Sequence, residues 1–290
     1  MSATWSAARL RAETRGLLQD AAEQLRGRDV ALIAAGLTFY ANIAVVPLLL
    51  VALSLTALAT SPEAVRDLGG RLGELLPSQL GAPEAVRTLV DTGVSMGLLE
   101  FVLALVPLSF YGEGLRRALL RFTTEKDTLT GWRGRLLAMP LVAAFPVLAY
   151  PLLMAAGVMA DMQERGSDVG SFFVGYYSVL AVLTVPLGWG YGVIAGGRRL
   201  RLAALVSGVL FTAACLSGFL QGFVVFLALP LALGSPFGGL TEVGAVVAVS
   251  LWLWLLHLVV IGGWLLTQAL DERLRDAAQP PGRPPVSGRP

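Results

Sequence analysis

Residues 30–58 read VALIAAGLTFYANIAVVPLLLVALSLTAL, a run of 29 residues that contains no charged side chain. A helix needs about 20 apolar residues to cross the roughly 30 Å hydrocarbon core of a bilayer. Lipid offers no partner to backbone N–H and C=O groups, so such a run must bond its backbone internally, as a helix does. The stretch therefore predicts a transmembrane helix and an all-α membrane fold.

The rest of the chain repeats this pattern. Of the 290 residues, 55% are hydrophobic and 14% are charged, and the mean hydropathy is +0.69. Soluble domains carry about 25% charged residues, so the composition indicates a polytopic membrane protein. One membrane domain is predicted over residues 30–270. Its six spans are Val30–Leu58, Val94–Leu115, Leu136–Ala160, Phe172–Gly196, Leu202–Leu229 and Glu242–Leu270.

Basic residues are distributed unevenly over the segments that flank these spans. Eighteen of the 22 lysines and arginines fall on one side of the predicted membrane. The four on the other side are Arg66, Arg71, Arg87 and Arg165. Because cytoplasmic loops carry the excess of Lys and Arg, both termini are predicted to be cytoplasmic.

The two terminal segments have different predicted structures. Residues 1–29 repeat apolar side chains, among them Leu10, Leu17 and Leu25, at helical spacing, which predicts a cytoplasmic amphipathic helix. This helix lies either on the inner membrane surface or against the cytoplasmic loops. Residues 271–290, rich in Pro, Gly and Arg towards their end, are predicted to form a disordered cytoplasmic tail.

The outer segment, residues 61–91, is too long for a tight connection. Ser61-Pro62-Glu63 reads as an N-cap, a proline at the first helical position and an acid in the first turn. Ala82-Pro83-Glu84 repeats the signal. Two short amphipathic helices are therefore predicted on the outer face.

Small residues recur every four positions in the fourth and fifth spans. Stripes of this kind let helices approach closely in lipid. We expect them to pack the two spans within one chain, and the alternative is the seam of a homodimer. The stripes are Gly188, Gly192 and Gly196, and Ala214, Gly218 and Gly222.

Prolines predict kinks within the spans, because each lacks an amide donor and displaces the carbonyl four residues earlier. The main kink positions are Pro47, Pro107, Pro146 and Pro186, and Pro140 and Pro151 stand in the same runs.

Three polar side chains stand inside predicted spans: Asn42, Glu100 and His257. Helical rise from the cytoplasmic end of each span places them at about 21, 24 and 20 Å. Ionisable groups are costly at this depth and mark functional sites. We predict that the three line one membrane cavity. The alternative is that Asn42 and His257 bond nearby carbonyls while Glu100 faces water.

Other site chemistries are disfavoured by composition. One histidine, His257, and one cysteine, Cys215, exclude a two-histidine motif and a cysteine-based metal site. A net charge of +2 is too small for a nucleic-acid-binding surface. We expect no metal, no cofactor, no nucleic-acid partner and no enzymatic activity, with membrane lipids as the partners.

Three groups of residues resemble the YihY/BrkB family of bacterial inner-membrane proteins, once called the ribonuclease BN family. They are Ala34–Tyr40 (AAGLTFY) with Pro47-Leu48, Gly114–Leu119 (GLRRAL) with Trp132–Leu136 (WRGRL), and Gly244–Val247 (GAVV) with Trp252, Trp254 and Ile261-Gly262-Gly263. The similarity covers about Arg28–Arg273. Three positions depart from the family pattern. Trp264 stands in place of a glutamate, Asn42 in place of a leucine-like residue and Ala44 in place of a serine.

The resemblance implies an integral protein of the bacterial cytoplasmic membrane. Members of the family are linked to transport of lipids or envelope components and to serum resistance. Proline-broken spans and polar groups at one depth are typical of a transport site, so we expect a transporter or flippase of a lipid-like or small amphipathic solute. The alternative is a non-transporting scaffold of the cell envelope. Ribonuclease activity would need several His and carboxylate ligands, which the spans lack.

The predicted topology can be tested by cysteine labelling in intact cells. After Cys215→Ala, a cysteine at Ser78 should react with a membrane-impermeant maleimide, and a cysteine at Thr128 should be protected. The reverse labelling would contradict the orientation.

Overall fold

A computed structural model describes residues 15–17, 19–20, 23, 28–78, 81–123, 132–137, 139–195 and 200–278. Within these ranges the regular elements are all helical. The helices are α1 (Val30–Ala59), α2 (Pro62–Glu74), α3 (Ala82–Val94), α4 (Leu98–Leu120), α5 (Trp132–Leu136), α6 (Met139–Ala143), α7 (Phe145–Glu164), α8 (Asp168–Trp189), α9 (Leu202–Ala228) and α10 (Thr241–Asp276). A π-helical turn, Gly190–Ile194, extends α8.

Five helices, α1, α4, α8, α9 and α10, are long and apolar enough to cross a membrane. A bent pair, Gly134–Ala143 and Val147–Glu164, passes the same criterion when it is counted as one span. The predicted all-α fold with several long apolar helices is thereby confirmed, and the third predicted span is bent rather than straight.

The bend of 42° divides the predicted span Leu136–Ala160. Pro146 lies within the break, and a helix that continued straight through it would lack one backbone hydrogen bond, because proline has no amide N–H. The amide of Ala144 instead donates to the carbonyls of Pro140 and Leu141. Helices α1, α4 and α8 are continuous through Pro47, Pro107 and Pro186, and the kinks at these prolines stay predictions.

The last helix is longer than predicted, because it continues past Leu270 to Asp276. The start of the predicted disordered tail is therefore helical. Asp271, only 1% exposed, stabilises this extension. Its Oδ2 accepts from Arg275 Nε at 2.7 Å, and its Oδ1 accepts from the backbone N–H of Arg201 at 2.8 Å, where α9 begins. The tail from residue 279 onward lies outside the described residues.

Most of the predicted N-terminal helix, residues 1–29, also lies outside the described residues. Those that are described before residue 28 include helical positions at 15–17, 19–20 and 23. Asp20 Oδ2 accepts from Arg273 Nη2 at 2.7 Å and from Arg273 Nε at 2.9 Å. This segment thus contacts the end of α10.

The two short helices predicted between the first and second spans are present as α2 and α3. Ser61 caps α2, because its Oγ accepts from the amide of Ala64 at 3.1 Å. The pair packs through Val65 and Val90, which are buried together with Ala57 of α1 and Leu153 of α7. The hairpin therefore joins the ends of α1 and α7.

The long helices pack in a closed order. α1 contacts α10, α10 contacts α9, α9 contacts α8, α8 contacts α7, and α7 returns to α1. α4 packs on the side of α1. The main core lies where α1, α4, α8, α9 and α10 meet, with Leu37, Leu119, Tyr191, Ile261 and Trp264 almost fully buried.

The closest packing joins α9 and α10 through a reciprocal glycine–threonine pattern. A Cβ placed on Gly208 would lie 2.8 Å from Thr267 Cβ, and one on Gly263 would lie 2.9 Å from Thr212 Cβ. Each threonine hydroxyl donates to the carbonyl of the glycine four residues earlier in its own helix, at 2.7 Å. Each helix thus presents one glycine and one threonine to its antiparallel partner.

Three glycines of the predicted stripes do not lie in the seam between α8 and α9. A Cβ on Gly188 or on Gly218 would meet nothing within 4 Å, and one on Gly222 would meet Trp252 of α10 at 3.8 Å. Polar bonds join the two helices instead. Tyr176 donates to the carbonyl of Ala214 at 3.2 Å, and Ser217 donates to that of Tyr176 at 2.7 Å.

Of the three remaining members of the stripes, Ala214 takes part in the seam through its backbone carbonyl. A Cβ on Gly192 would lie 3.3 Å from Leu205, so this glycine faces α9. Gly196 lies outside the described residues, and the homodimer seam remains a prediction.

The α9–α10 seam generates a stability prediction. Gly208→Ala and Gly263→Ala should each lower the free energy of unfolding in detergent by about 1–3 kcal/mol, because the added methyl overlaps a threonine. Gly218→Ala is the matched control and should be neutral or slightly stabilising, since alanine favours helix over glycine. Equal melting temperatures for all three variants would contradict the assigned seam.

Candidate functional site

One end of the helix bundle is called the basic end. It consists of the ends of α1, α4, α9 and α10 that carry Arg28, Arg117, Arg201 and Arg273. Cross-helix contacts hold this end together. The Arg28 guanidinium lies 5.3 Å from the centre of the Phe122 ring, which comes directly after α4. The backbone N–H of Arg201 donates to Asp271 of α10, and Trp264 of α10 bonds Leu119 of α4, so the basic residues of four segments share one end of the bundle.

A buried ion cluster lies near the basic end of α4. Glu113 and Arg116 are 7% and 2% exposed at their side chains. The Glu113 carboxylate accepts from Arg116 Nε at 2.9 Å and Arg116 Nη2 at 3.0 Å, and it also accepts from Arg117 Nε at 2.7 Å. Residues three and four positions apart share a helix face, so the local sequence brings these groups together.

The ion cluster also explains a glycine in α5. A Cβ on Gly134 would lie 2.5 Å from Glu113 Oε2 and 2.6 Å from Arg116 Nε. The segment after the second span therefore lies directly on the ion pair, and a side chain at this position would displace the end of Glu113 or Arg116.

A cavity of about 580 Å³, called the α1–α4 groove, opens between α1 and α4 beside this cluster. One part of its wall is apolar and another is charged. The guanidinium of Arg135 lies over the Phe110 ring at 4.7 Å and so joins the two parts. The lining residues are Leu32, Ile33, Gly36, Leu37, Tyr40, Phe110, Gly114 and Ala118, with Glu113, Arg117, Arg121 and Arg135.

A second cavity, of about 640 Å³, lies between the end of α9 and the first half of α10. None of the described residues in its lining is charged, and they include Phe226, Leu233, Trp252 and Trp254. The α1–α4 groove is thus the amphipathic one of these two cavities.

His257 of α10 lies in a buried contact between three helices and is 4% exposed. Its Nδ1 lies 2.7 Å from the carbonyl of Leu253 and 3.3 Å from Thr38 Oγ1 of α1, and its Nε2 lies 3.2 Å from the Tyr111 hydroxyl of α4. A carbonyl only accepts, which assigns the proton to Nδ1 and makes Tyr111 the donor to Nε2. The ring joins α1, α4 and α10.

Asn42 takes part in a neighbouring contact between α1 and α10. Its Nδ2 donates to Ser250 Oγ at 3.1 Å, one to two turns along these helices from Thr38 and His257. Asn42 and His257 line neither of the two cavities described above. They share one helix interface but make separate hydrogen bonds.

Glu100 does not join this group. It lies in the first turn of α4, where its Oε2 accepts from the backbone N–H of Gly97 at 2.7 Å. The predicted second span began at Val94, but α3 continues to that residue and α4 begins only at Leu98. This shift makes Glu100 a helix-capping residue, and Tyr111 takes the place expected for it beside His257.

Sequence comparison places the chain among known families. Residues 21–287 match the family model described as virulence factor BrkB. The chain belongs to the BrkB family. No curated protein and no solved structure matches it.

Trp264 has a clear role in this BrkB-family protein, although the resemblance led us to expect a glutamate there. Its Nε1 donates to the carbonyl of Leu119 at 3.2 Å, near the end of α4. The indole therefore binds α10 to α4 close to the ion cluster. Among the described residues, no three His, Cys, Asp or Glu side chains come together as metal ligands.

Sequence reasoning missed Tyr111, Thr38 and the Glu113 cluster. Glu113 could have been found, because an acid with arginines three and four residues later is a recognisable helical ion-pair pattern. Tyr111 and Thr38 carried no such signal, since their meeting with His257 depends on helix rotation.

The contact between α4 and α10 can be tested in the BrkB-family protein by double-mutant cycles. Tyr111→Phe and His257→Ala should show a coupling of about 0.5–3 kcal/mol in the free energy of unfolding, since they share a hydrogen bond. Glu100→Gln and His257→Ala should be additive within about 0.5 kcal/mol. Coupling of Glu100 as strong as that of Tyr111 would contradict the assigned contacts.

Proposed function

We propose that this BrkB-family protein is a transporter or flippase of a lipid-like or small amphipathic solute. The observation that carries the proposal is the α1–α4 groove, in which apolar residues of two membrane helices face arginines at the basic end. A lipid has the same two-part character, with an apolar chain and a polar head group. No catalytic step, metal or cofactor is part of the proposal.

The size and composition of the groove support this function. Its volume of about 580 Å³ falls within the range of small-molecule binding sites, which extends over about 300–1,000 Å³. Tyr40 and Phe110 line it and are 36% and 37% exposed in the isolated chain. Such a groove is open to an amphiphile that arrives from the surrounding bilayer.

The proposal includes an orientation. We place the protein in the bacterial cytoplasmic membrane with the basic end and both termini in the cytoplasm, because positively charged segments are retained on that side. In this orientation the polar head group of the lipid-like solute enters the groove at the cytoplasmic surface.

Reconstitution tests this function directly. Purified protein in liposomes should accelerate the movement of fluorescent phospholipids between leaflets, measured by dithionite quenching. Gly36→Leu should abolish the acceleration, because Gly36 lines the groove and a Cβ there meets nothing within 4 Å, so the side chain can fill the groove.

Gly218→Leu is the matched control, since Gly218 is also open but lies on α9 outside the groove. It should leave lipid movement unchanged. A wild-type protein that moves no lipid would contradict the proposal and favour a non-transporting scaffold of the cell envelope.

A further inference from the structure

The charged wall of the α1–α4 groove is strongly asymmetric. Among the described residues that line it, Glu113 is the one carboxylate, and Arg117, Arg121 and Arg135 are the three guanidiniums. The groove therefore carries an excess of positive charge beside an apolar wall, which is the complement of an anionic amphiphile.

The ion cluster determines which arginine is available to a ligand. Arg116 is almost fully buried, and two of its nitrogens already bond the two oxygens of Glu113. Arg117 makes a third bond to the same carboxylate and has a side chain that is 66% exposed. Arg117 can turn to an anion without leaving Glu113 as an unpaired buried charge, whereas Arg116 cannot.

We infer that Arg117, Arg121 and Arg135 bind the phosphate group of an anionic membrane lipid, an assignment that rests on the function proposed above. A guanidinium group binds a phosphate through two parallel, charge-assisted N–H···O hydrogen bonds. The acyl chains lie along the apolar wall formed by the exposed side chains of Leu32 and Tyr40. A free phosphate ion has no apolar group that could contact this wall. The wall therefore favours the phosphate of a lipid as the ligand.

Equilibrium binding tests the inference. Dioctanoyl phosphatidylglycerol should bind the purified protein in detergent at least roughly tenfold more tightly than dioctanoyl phosphatidylcholine, which has a phosphate but no net charge. Binding can be measured by the shift in melting temperature as each lipid is titrated. Inorganic phosphate should not compete at concentrations comparable to that of the anionic lipid.

Variants locate the site. Arg117→Ala, Arg121→Ala and Arg135→Ala should each weaken phosphatidylglycerol binding by roughly fivefold or more, and Arg117→Lys should restore part of the loss at that position. Arg201→Ala is the matched control, because Arg201 lies at the basic end but outside the groove lining. It should bind phosphatidylglycerol as the wild type does.

Three results would overturn the inference: equal affinity for the two lipids, competition by inorganic phosphate as strong as that by the anionic lipid, or equal weakening by Arg201→Ala. Failure of the proposed function is distinguishable from these. Selective phosphatidylglycerol binding without lipid movement in liposomes would contradict transport and support the site. Lipid movement that is unaffected by the three alanine variants, without selective binding, would contradict the site and support transport.

Discussion

The hydrocarbon core of a bilayer cannot form hydrogen bonds, and the packing of this protein depends on how polar side chains within the spans find partners under that constraint. Indole N–H groups of α10 donate to carbonyls of three other helices. Trp252 bonds Phe219 of α9, Trp254 bonds Ala31 of α1, and Trp264 bonds Leu119 of α4. A carbonyl oxygen has two lone pairs, so each of these carbonyls accepts the indole N–H and keeps the hydrogen bond within its own helix. Helix α10 is thereby fixed to its neighbours on three sides.

The α1–α4 groove depends on this arrangement. Helix α4 meets α1 closely at one level, where a Cβ on Gly114 would lie 2.8 Å from the Tyr40 ring, and it meets α10 through Tyr111 and Trp264. The buried pair of Glu113 and Arg116 makes charge at the end of α4 compatible with the apolar surroundings. A buried charge is tolerated only when it is paired, and Arg116 pairs with Glu113. Arg117, Arg121 and Arg135 line the groove beside this pair.

The sequence predicted those features that depend on composition along the chain. The apolar helices and the Ser61 cap both result from local residue chemistry, whereas the prolines did not indicate which span would bend by 42°. Features that depend on the rotation of a helix about its axis could not be predicted. Counting the helical rise gives the depth of a residue in the membrane but not the side of the helix that faces a neighbour. Thus Glu100 was predicted beside His257, where the structure has Tyr111. The α9–α10 seam was missed for another reason. Its small residues are two glycines and two threonines, and the predicted stripes contained only glycine and alanine.

The π-helical turn Gly190–Ile194 affects which residue of this segment can bond to α10. In this turn the amide of Ala195 donates to the carbonyl of Gly190 at 2.8 Å, five residues back instead of four. The wider turn directs the Tyr191 hydroxyl to the carbonyl of Val260, 2.6 Å away. A one-residue deletion would convert the turn to ordinary α-helix and rotate α8 by about 100° relative to the residues after the turn. Homologues that differ in length by one residue here should therefore also differ in the residue that bonds to α10.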